Sequence, residues 1–168
     1  MFDTIAGLPV HPLVVHAAVV LGPLAALLLL VYVVKPGWRL GLRWPLVLTG
    51  GGAALSAAVA SASGEALQHR VDEAATAAAR QLVEEHAEAG DLAAASLYVL
   101  AGAIVLVVFF LLPPVARAGR APILRTAGVV VALGAVAFAT FGVVNAGHTG
   151  AKASWSEVVA TTTPGEGD

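Results

Sequence analysis

Histidine is the residue type in this chain best suited to chemistry, because its imidazole binds metals and exchanges protons near neutral pH. The sequence has five histidines and no cysteine. Without cysteine the chain can form no disulfide, no thiolate-ligated iron–sulfur cluster and no covalent c-type haem attachment. A haem or metal site would therefore depend mainly on imidazole. The histidines are His11, His16, His69, His86 and His148.

Four apolar stretches must position these histidines. The 168 residues are 58% hydrophobic and only 12% charged, a composition that does not suit a soluble domain. About 20 apolar residues are needed to cross a hydrocarbon core of roughly 30 Å. We predict an all-α integral membrane four-helix bundle, a single domain over residues 1–159. Its spans are predicted at about residues 13–34, 45–63, 92–113 and 126–145.

The connectors between the spans differ sharply in charge. Two of them carry basic residues and no Asp or Glu, and the positive-inside rule places such connectors in the cytoplasm. The five histidines and eleven carboxylates then lie on the other side of the membrane, together with both chain termini. The basic residues of the cytoplasmic connectors are Lys35, Arg39, Arg43, Arg117, Arg120 and Arg125.

The segment between the second and third spans is rich in good helix formers. Over residues 65–88 an apolar stripe recurs at steps of three and four, which predicts an amphipathic extracytoplasmic helix lying over the bundle and ended by Gly90. The stripe turns His86 inward and leaves His69 among polar residues. Residues 160–168 have the composition of a disordered tail. The stripe is formed by Leu67, Val71, Ala75, Ala78, Leu82 and His86.

The second span contains Gly50, Gly51 and Gly52, followed by many Ala and Ser residues. Small residues let helix backbones approach closely in lipid, where no hydrophobic force drives helices together. We therefore expect this helix to be central and packed on several sides. The alternative is a helix broken locally at the glycines around an ion or ligand.

Three histidines stand where spans begin or end. His11 precedes Pro12, which suits the first turn of a helix, so His11 lies just outside the first span. His16 lies about one turn inside, where an imidazole is costly unless it has a partner. His148 lies between Gly147 and Gly150, which would let the backbone turn tightly after the fourth span.

Our leading hypothesis is a cofactor site at the extracytoplasmic face formed by His16, His86 and His148, with His11 close by. Two imidazoles across a bundle can hold a b-type haem axially. Three imidazoles, or imidazoles with Glu85 or Asp91, could instead hold zinc or copper. The role would be electron transfer or metal handling. No nucleophile or general base can be assigned, so no catalytic residue is named.

The rival hypothesis is an accessory or scaffold protein whose histidines only pack or sense pH. Small-residue faces that include Gly128, Gly134 and Gly142 would then bind partner membrane proteins or a second copy of the chain. A transporter is less favoured, because the spans hold no acidic residue for ion coupling. The lipid bilayer is the expected partner in every case, and no nucleic acid is expected.

Three short motifs point to a known family. The chain opens with Leu8-Pro9-Val10-His11-Pro12-Leu13-Val14-Val15-His16, has His86 followed by Gly90-Asp91, and ends its fourth span with Gly147-His148-Thr149-Gly150. In these features it resembles the bacterial membrane family called domain of unknown function 2231, over roughly Leu8 to Trp155. The resemblance implies four spans in a bacterial plasma membrane. It favours His11, His16, His86 and His148 over His69 and implies no particular reaction.

Overall fold

The computed structural model shows four long helices in an up-and-down bundle. It describes residues 4–5, 7–74, 76–115 and 122–162. Each helix is long and apolar enough to cross a membrane, so the prediction of an all-α bundle with four spans is confirmed. The helices are α1 (Val10–Val34), α2 (Arg39–Ala74), α3 (Ala77–Leu106) and α4 (Pro122–Thr162).

The helices pack in a ring in the order of the chain. α1 packs on α2, α2 on α3 and α3 on α4, and α4 closes the ring against α1. A 3-10 turn over Pro36–Trp38 joins α1 to α2, and α3 continues as a π-helical segment over Val107–Leu111. Before α1, a short antiparallel hairpin pairs β1 (Thr4–Ile5) with β2 (Leu8–Pro9). Gly7 turns this hairpin with a φ of 81°, which a residue without Cβ adopts at little cost.

The most buried helix is α3, not α2. Within the most apolar part of each span, 44% of α3 is buried and only 28% of α2. The expectation that the second span is central is therefore wrong. α2 does run unbroken through its three glycines, which supports the packing interpretation over a local break. A Cβ on Gly50 would lie 2.6 Å from the Cδ1 of Ile104, so α2 offers small residues as sockets for the larger side chains of α3.

The same relation recurs along the rest of α3. A Cβ on Gly22 of α1 would lie 2.8 Å from Leu97, and one on Gly142 of α4 would lie 2.5 Å from the hydroxyl of Ser96. Ser96 is completely buried, and its Oγ donates to the carbonyl of Ala93 at 2.7 Å. Because these glycines lie on different helices, α3 sets the register of the whole bundle.

A buried tyrosine ties α1 to the end of α3. The Tyr32 side chain is fully buried, and its hydroxyl donates to the carbonyl of Leu112 at 2.7 Å. The Leu112 amide in turn donates to the carbonyl of Val107, which closes the π-helical segment. In lipid each backbone polar group needs an internal partner, so the phenol satisfies a carbonyl that the helix itself leaves unpaired.

The predicted single helix over residues 65–88 does not form. This segment is helical, but α2 ends at Ala74 and α3 begins at Ala77, so its two halves extend two antiparallel helices. Thr76 caps α3 by accepting a hydrogen bond from the Ala79 amide at 3.3 Å. A threonine cap begins a new helix instead of continuing the one before it, and the apolar stripe alone does not reveal it. Gly90 does not end a helix either, since α3 passes through it.

The fourth helix is also longer than predicted. α4 continues beyond residue 145 to Thr162 and so includes residues 160–162 of the predicted disordered tail. Apolar residues decline there, but alanines persist and no proline occurs before Pro164, so helical propensity outlasts hydropathy. Residues 163–168 of the predicted tail lie outside the described residues.

A side chain added at Gly142, which packs against Ser96, should destabilise the bundle. We expect Gly142→Ala to lower the free energy of unfolding by about 1–3 kcal/mol, as overpacking of a close contact does. Gly134→Ala on the same helix is the matched control, because nothing lies within 4 Å of the Cβ it adds. Thermal unfolding in detergent should separate the two variants, and equal midpoints would contradict the packing described.

Candidate functional site

At the end of the bundle where α2 turns into α3, two histidines from different helices meet. His11 lies in the first turn of α1, and His86 lies about three turns into α3. Their ring centroids are 6.2 Å apart, and the ring planes cross at 78°. Both side chains are partly buried. The structure thus pairs two imidazoles that are 75 positions apart in the sequence.

The environment of His11 determines which ring nitrogen carries its proton. The Nδ1 atom lies 2.8 Å from the carbonyl oxygen of Ala60 on α2. A carbonyl can only accept a hydrogen bond, so Nδ1 must be protonated and donate. In the neutral ring Nε2 is then the nitrogen with a lone pair available to bind a metal.

The Nδ1 atom of His86 also has a hydrogen-bond partner, which here is a side chain. Its Nδ1 lies 3.3 Å from the Oγ1 of Thr149 on α4. The Thr149 hydroxyl is within hydrogen-bond distance of the Asn145 carbonyl of its own helix, at 3.1 Å, and donates its proton there. The Thr149 oxygen can then accept from Nδ1–H of His86, in the tautomer that leaves the lone pair on Nε2. A second partner that fixes the distal nitrogen is the usual arrangement around metal-binding histidines.

Each imidazole packs against a glycine. A Cβ added to Gly64 of α2 would lie 3.0 Å from Cε1 and Nδ1 of His11. A Cβ added to Gly150 of α4 would lie 2.9 Å from Cε1 of His86. Larger residues at these positions would push the rings out of place. The two glycines thus position the pair sterically.

The histidine pair borders a cavity of about 530 Å³. Most of its wall consists of Ala, Val, Leu and Gly residues from all four helices, which leaves an apolar interior with room beside the rings. Besides His11 and His86, its polar lining residues are His16, Ser61, Glu65, Gln68, Asp91 and Ser154. An apolar pocket with a few polar groups is the usual form of a ligand site.

The other predicted site residues lie apart from the pair. His16 lines the cavity, but its side chain is largely exposed, and its Nδ1 bonds the Pro12 carbonyl of its own helix. His148 is exposed and borders a shallow surface beside Phe141 and Val144 on the outside of α4. His69 is exposed, as expected. Across the described ranges no group of three or more His, Cys, Asp or Glu residues is placed to hold a metal ion.

Helix phase explains the position of His148. Gly147 and Gly150 form no turn, because α4 runs through both of them. Successive residues of an α-helix are rotated by roughly 100°, so the residue before an inward-facing one can point outward. Here Thr149 and Gly150 both contact His86, and His148 points outward.

Two partners in the site were not anticipated from the sequence. Thr149 could have been found if α4 had been continued past residue 145, because it lies seven positions, two helical turns, after the buried Gly142. The Ala60 carbonyl gave no signal, because any backbone carbonyl could have filled its role. Only the relative rotation of α1 and α2 selects it.

These features define a multi-pass helical membrane protein with a histidine-lined cavity at one end. The chain matches the family described as predicted membrane protein, domain of unknown function 2231 (DUF2231), over residues 7–163, and it belongs to that family. The resemblance noted in the sequence is thereby confirmed. Comparisons with curated proteins and with solved structures gave no match.

The hydrogen bond between His86 and Thr149 should contribute measurably to stability. We expect Thr149→Val to lower the free energy of unfolding by about 1 kcal/mol more than Thr126→Val does, since a buried hydrogen bond contributes about that much. Thr126 is the matched control, because among the described residues its hydroxyl bonds only the Pro122 carbonyl of its own helix. Equal losses in thermal unfolding would show that the His86 contact carries no weight.

Proposed function

We propose that this protein binds a b-type haem between His11 and His86 and transfers electrons at one face of the membrane. The observation that carries the proposal is the pairing of two imidazoles 6.2 Å apart, each with its Nδ1 engaged by a neighbour. The Nε2 atoms of His11 and His86 would be the nitrogens that hold the haem iron.

The number of ligands favours haem over a bare metal ion. Structural zinc sites take four protein ligands and catalytic zinc sites three, and the described residues hold no group of three suitable side chains. A haem brings four nitrogen ligands of its own and needs only two axial ligands from the protein. A pair of histidines is therefore sufficient for haem and insufficient for zinc.

The size and lining of the cavity also favour haem over a bare metal ion. Its volume of about 530 Å³ lies within the range of about 300–1,000 Å³ that ligand pockets occupy. Small apolar residues such as Ala57, Ala60 and Ala94 line it and offer a flat macrocycle little steric resistance. Glu65 and Asp91 also border the cavity, and their carboxylates would repel the carboxylates of a bound haem.

Axial ligation determines the kind of chemistry. When both axial positions are filled by protein imidazoles, no coordination site remains for oxygen or a substrate. Such a haem serves electron transfer, and its ligands and their hydrogen-bond partners tune its potential. In this chain that tuning falls to the Ala60 carbonyl and Thr149, which hold the two imidazoles.

Absorption spectroscopy tests the proposal directly. Protein purified in mild detergent, or titrated with hemin, should show a Soret band and, after reduction, a sharp α-band. We expect His11→Ala and His86→Ala each to weaken haem binding by at least about tenfold, since even the loss of an outer partner of a metal ligand costs that much.

The matched control is His69→Ala, because His69 is exposed at the same end of the bundle. It should bind hemin as the unaltered protein does. A protein that stays colourless with excess hemin, or that binds hemin equally well without His11 and His86, would contradict the haem proposal. If the two substitutions then altered only stability, the result would favour an accessory or scaffold role.

We further infer that the histidine end faces away from the cytoplasm in a bacterial plasma membrane. The support is the charge distribution: Lys35, Arg39, Arg43 and Arg125 lie in or beside the connectors at the opposite end. Both ends of the chain then lie on the side of His11 and His86. A redox partner would approach from that side.

The absence of cysteine makes this orientation simple to test. The single-cysteine variants Arg80→Cys and Gly37→Cys each replace an exposed residue. The two positions lie at opposite ends of the bundle. A membrane-impermeant maleimide added to intact cells should label Arg80→Cys and leave Gly37→Cys unlabelled until the cells are lysed. The reverse labelling pattern would overturn the assigned orientation.

A further inference from the structure

The end of the bundle opposite the histidines is basic and lacks acidic residues. Between Thr4 and Gly64, and again between Leu92 and Ser156, the sequence has no Asp or Glu. The guanidinium groups of this end therefore have no carboxylate partner within these stretches. A concentration of positive charge without counter-charge is energetically unfavourable unless anions from the surroundings supply it.

Arg43 is one arginine at this end whose charge lacks an anionic partner among the described residues. Its guanidinium lies over the rings of Trp44 and Phe109, at 5.0 Å and 4.7 Å from the ring centroids. Its Nε is buried and has no hydrogen-bond acceptor among the described residues. The charge is thus held between two aromatic rings and is only partly compensated there, because a ring face is a weaker partner than an anion.

Two further arginines, Arg39 and Arg125, lie at the same end of the bundle. Arg39 donates through Nε to the carbonyl of Tyr32 at 3.1 Å and through Nη2 to that of Val33 at 3.3 Å, so it caps the end of α1. Arg125 lies in the first turn of α4 and adds a second positive charge at this end of the bundle. An anion bound at this end would offset both charges.

Two exposed tryptophans indicate the depth in the membrane at which this end of the bundle lies. Trp38 is 62% exposed and Trp44 is 57% exposed, and both adjoin the arginines. Tryptophan is enriched at the headgroup level of membranes, where its ring meets the apolar boundary and its N–H meets water. The arginines beside these rings therefore lie at the depth of lipid phosphates.

We propose that this basic end is a binding site for the phosphate of an anionic phospholipid, formed by Arg43 together with Arg39 and Arg125. The planar guanidinium fork matches phosphate oxygens, and basic pockets between membrane helices on the cytoplasmic side hold acidic headgroups. The depth set by the tryptophans favours lipid over free phosphate. The proposal does not depend on haem binding, because it concerns the opposite end of the bundle.

Lipid titration of the full-length protein tests this site. In a non-ionic detergent, phosphatidylglycerol should raise the thermal midpoint in a saturable way, because a ligand of the folded state stabilises that state. Phosphatidylcholine and inorganic phosphate should raise it little. We expect Arg43→Gln to increase the concentration for half-saturation about fivefold, the share of one basic side chain near an anionic surface.

Arg80→Gln is the matched control, because Arg80 is exposed at the histidine end and should leave the phosphatidylglycerol response unchanged. Arg125→Gln is a second test variant that carries the prediction if Arg43→Gln fails to fold, since Arg125 is exposed. An equal response to phosphatidylcholine would overturn the proposal. So would a full response to inorganic phosphate, or an unaltered half-saturation in both test variants.

Discussion

The structure depends on the close fit of α3 side chains into glycines of the surrounding helices. Lipid gives helices no hydrophobic reason to associate, so contact must come from packing at short range. Leu97, Ser96 and Ile104 each lie where a Cβ on the facing glycine would clash. Such contacts allow one rotation and one vertical position for each helix. The heights of His11, His86 and Thr149 at the end of the bundle follow from that fit, because their helices have no freedom to slide.

Hydropathy predicted the number of membrane-spanning helices better than it predicted where those helices end. The four spans are all present, but α2 runs on to Ala74 and α4 to Thr162. Both extensions are rich in alanine, which favours helix in water as well as in lipid. The loss of apolar residues marks the edge of the hydrocarbon and gives no signal to stop a helix. Thr76 did give such a signal, and reading it as a cap would have divided the predicted outer helix correctly.

The site was only partly predictable for a different reason. Helix periodicity placed His86 on an inward face, and the structure agrees. The choice between His11 and His148 as its neighbour required the rotation of two other helices, which no local pattern contains. Gly147 and Gly150 suggested a turn, whereas in the structure α4 continues and Gly150 gives the His86 ring its space. A glycine beside a histidine is compatible with a turn or with close packing, and only the three-dimensional structure distinguishes the two.

The segregation of charge has a consequence for the proposed haem. In the oxidised state the iron–porphyrin core carries a net positive charge, and the surrounding charges shift its potential. Glu65 and Asp91 border the cavity, whereas Arg39, Arg43 and Arg125 lie at the far end of the helices. Negative charge near a haem favours ferric iron, and positive charge in its place would favour ferrous iron. The carboxylates of Glu65 and Asp91 would therefore lower the potential of a haem held by His11 and His86, compared with the same cavity lined without them.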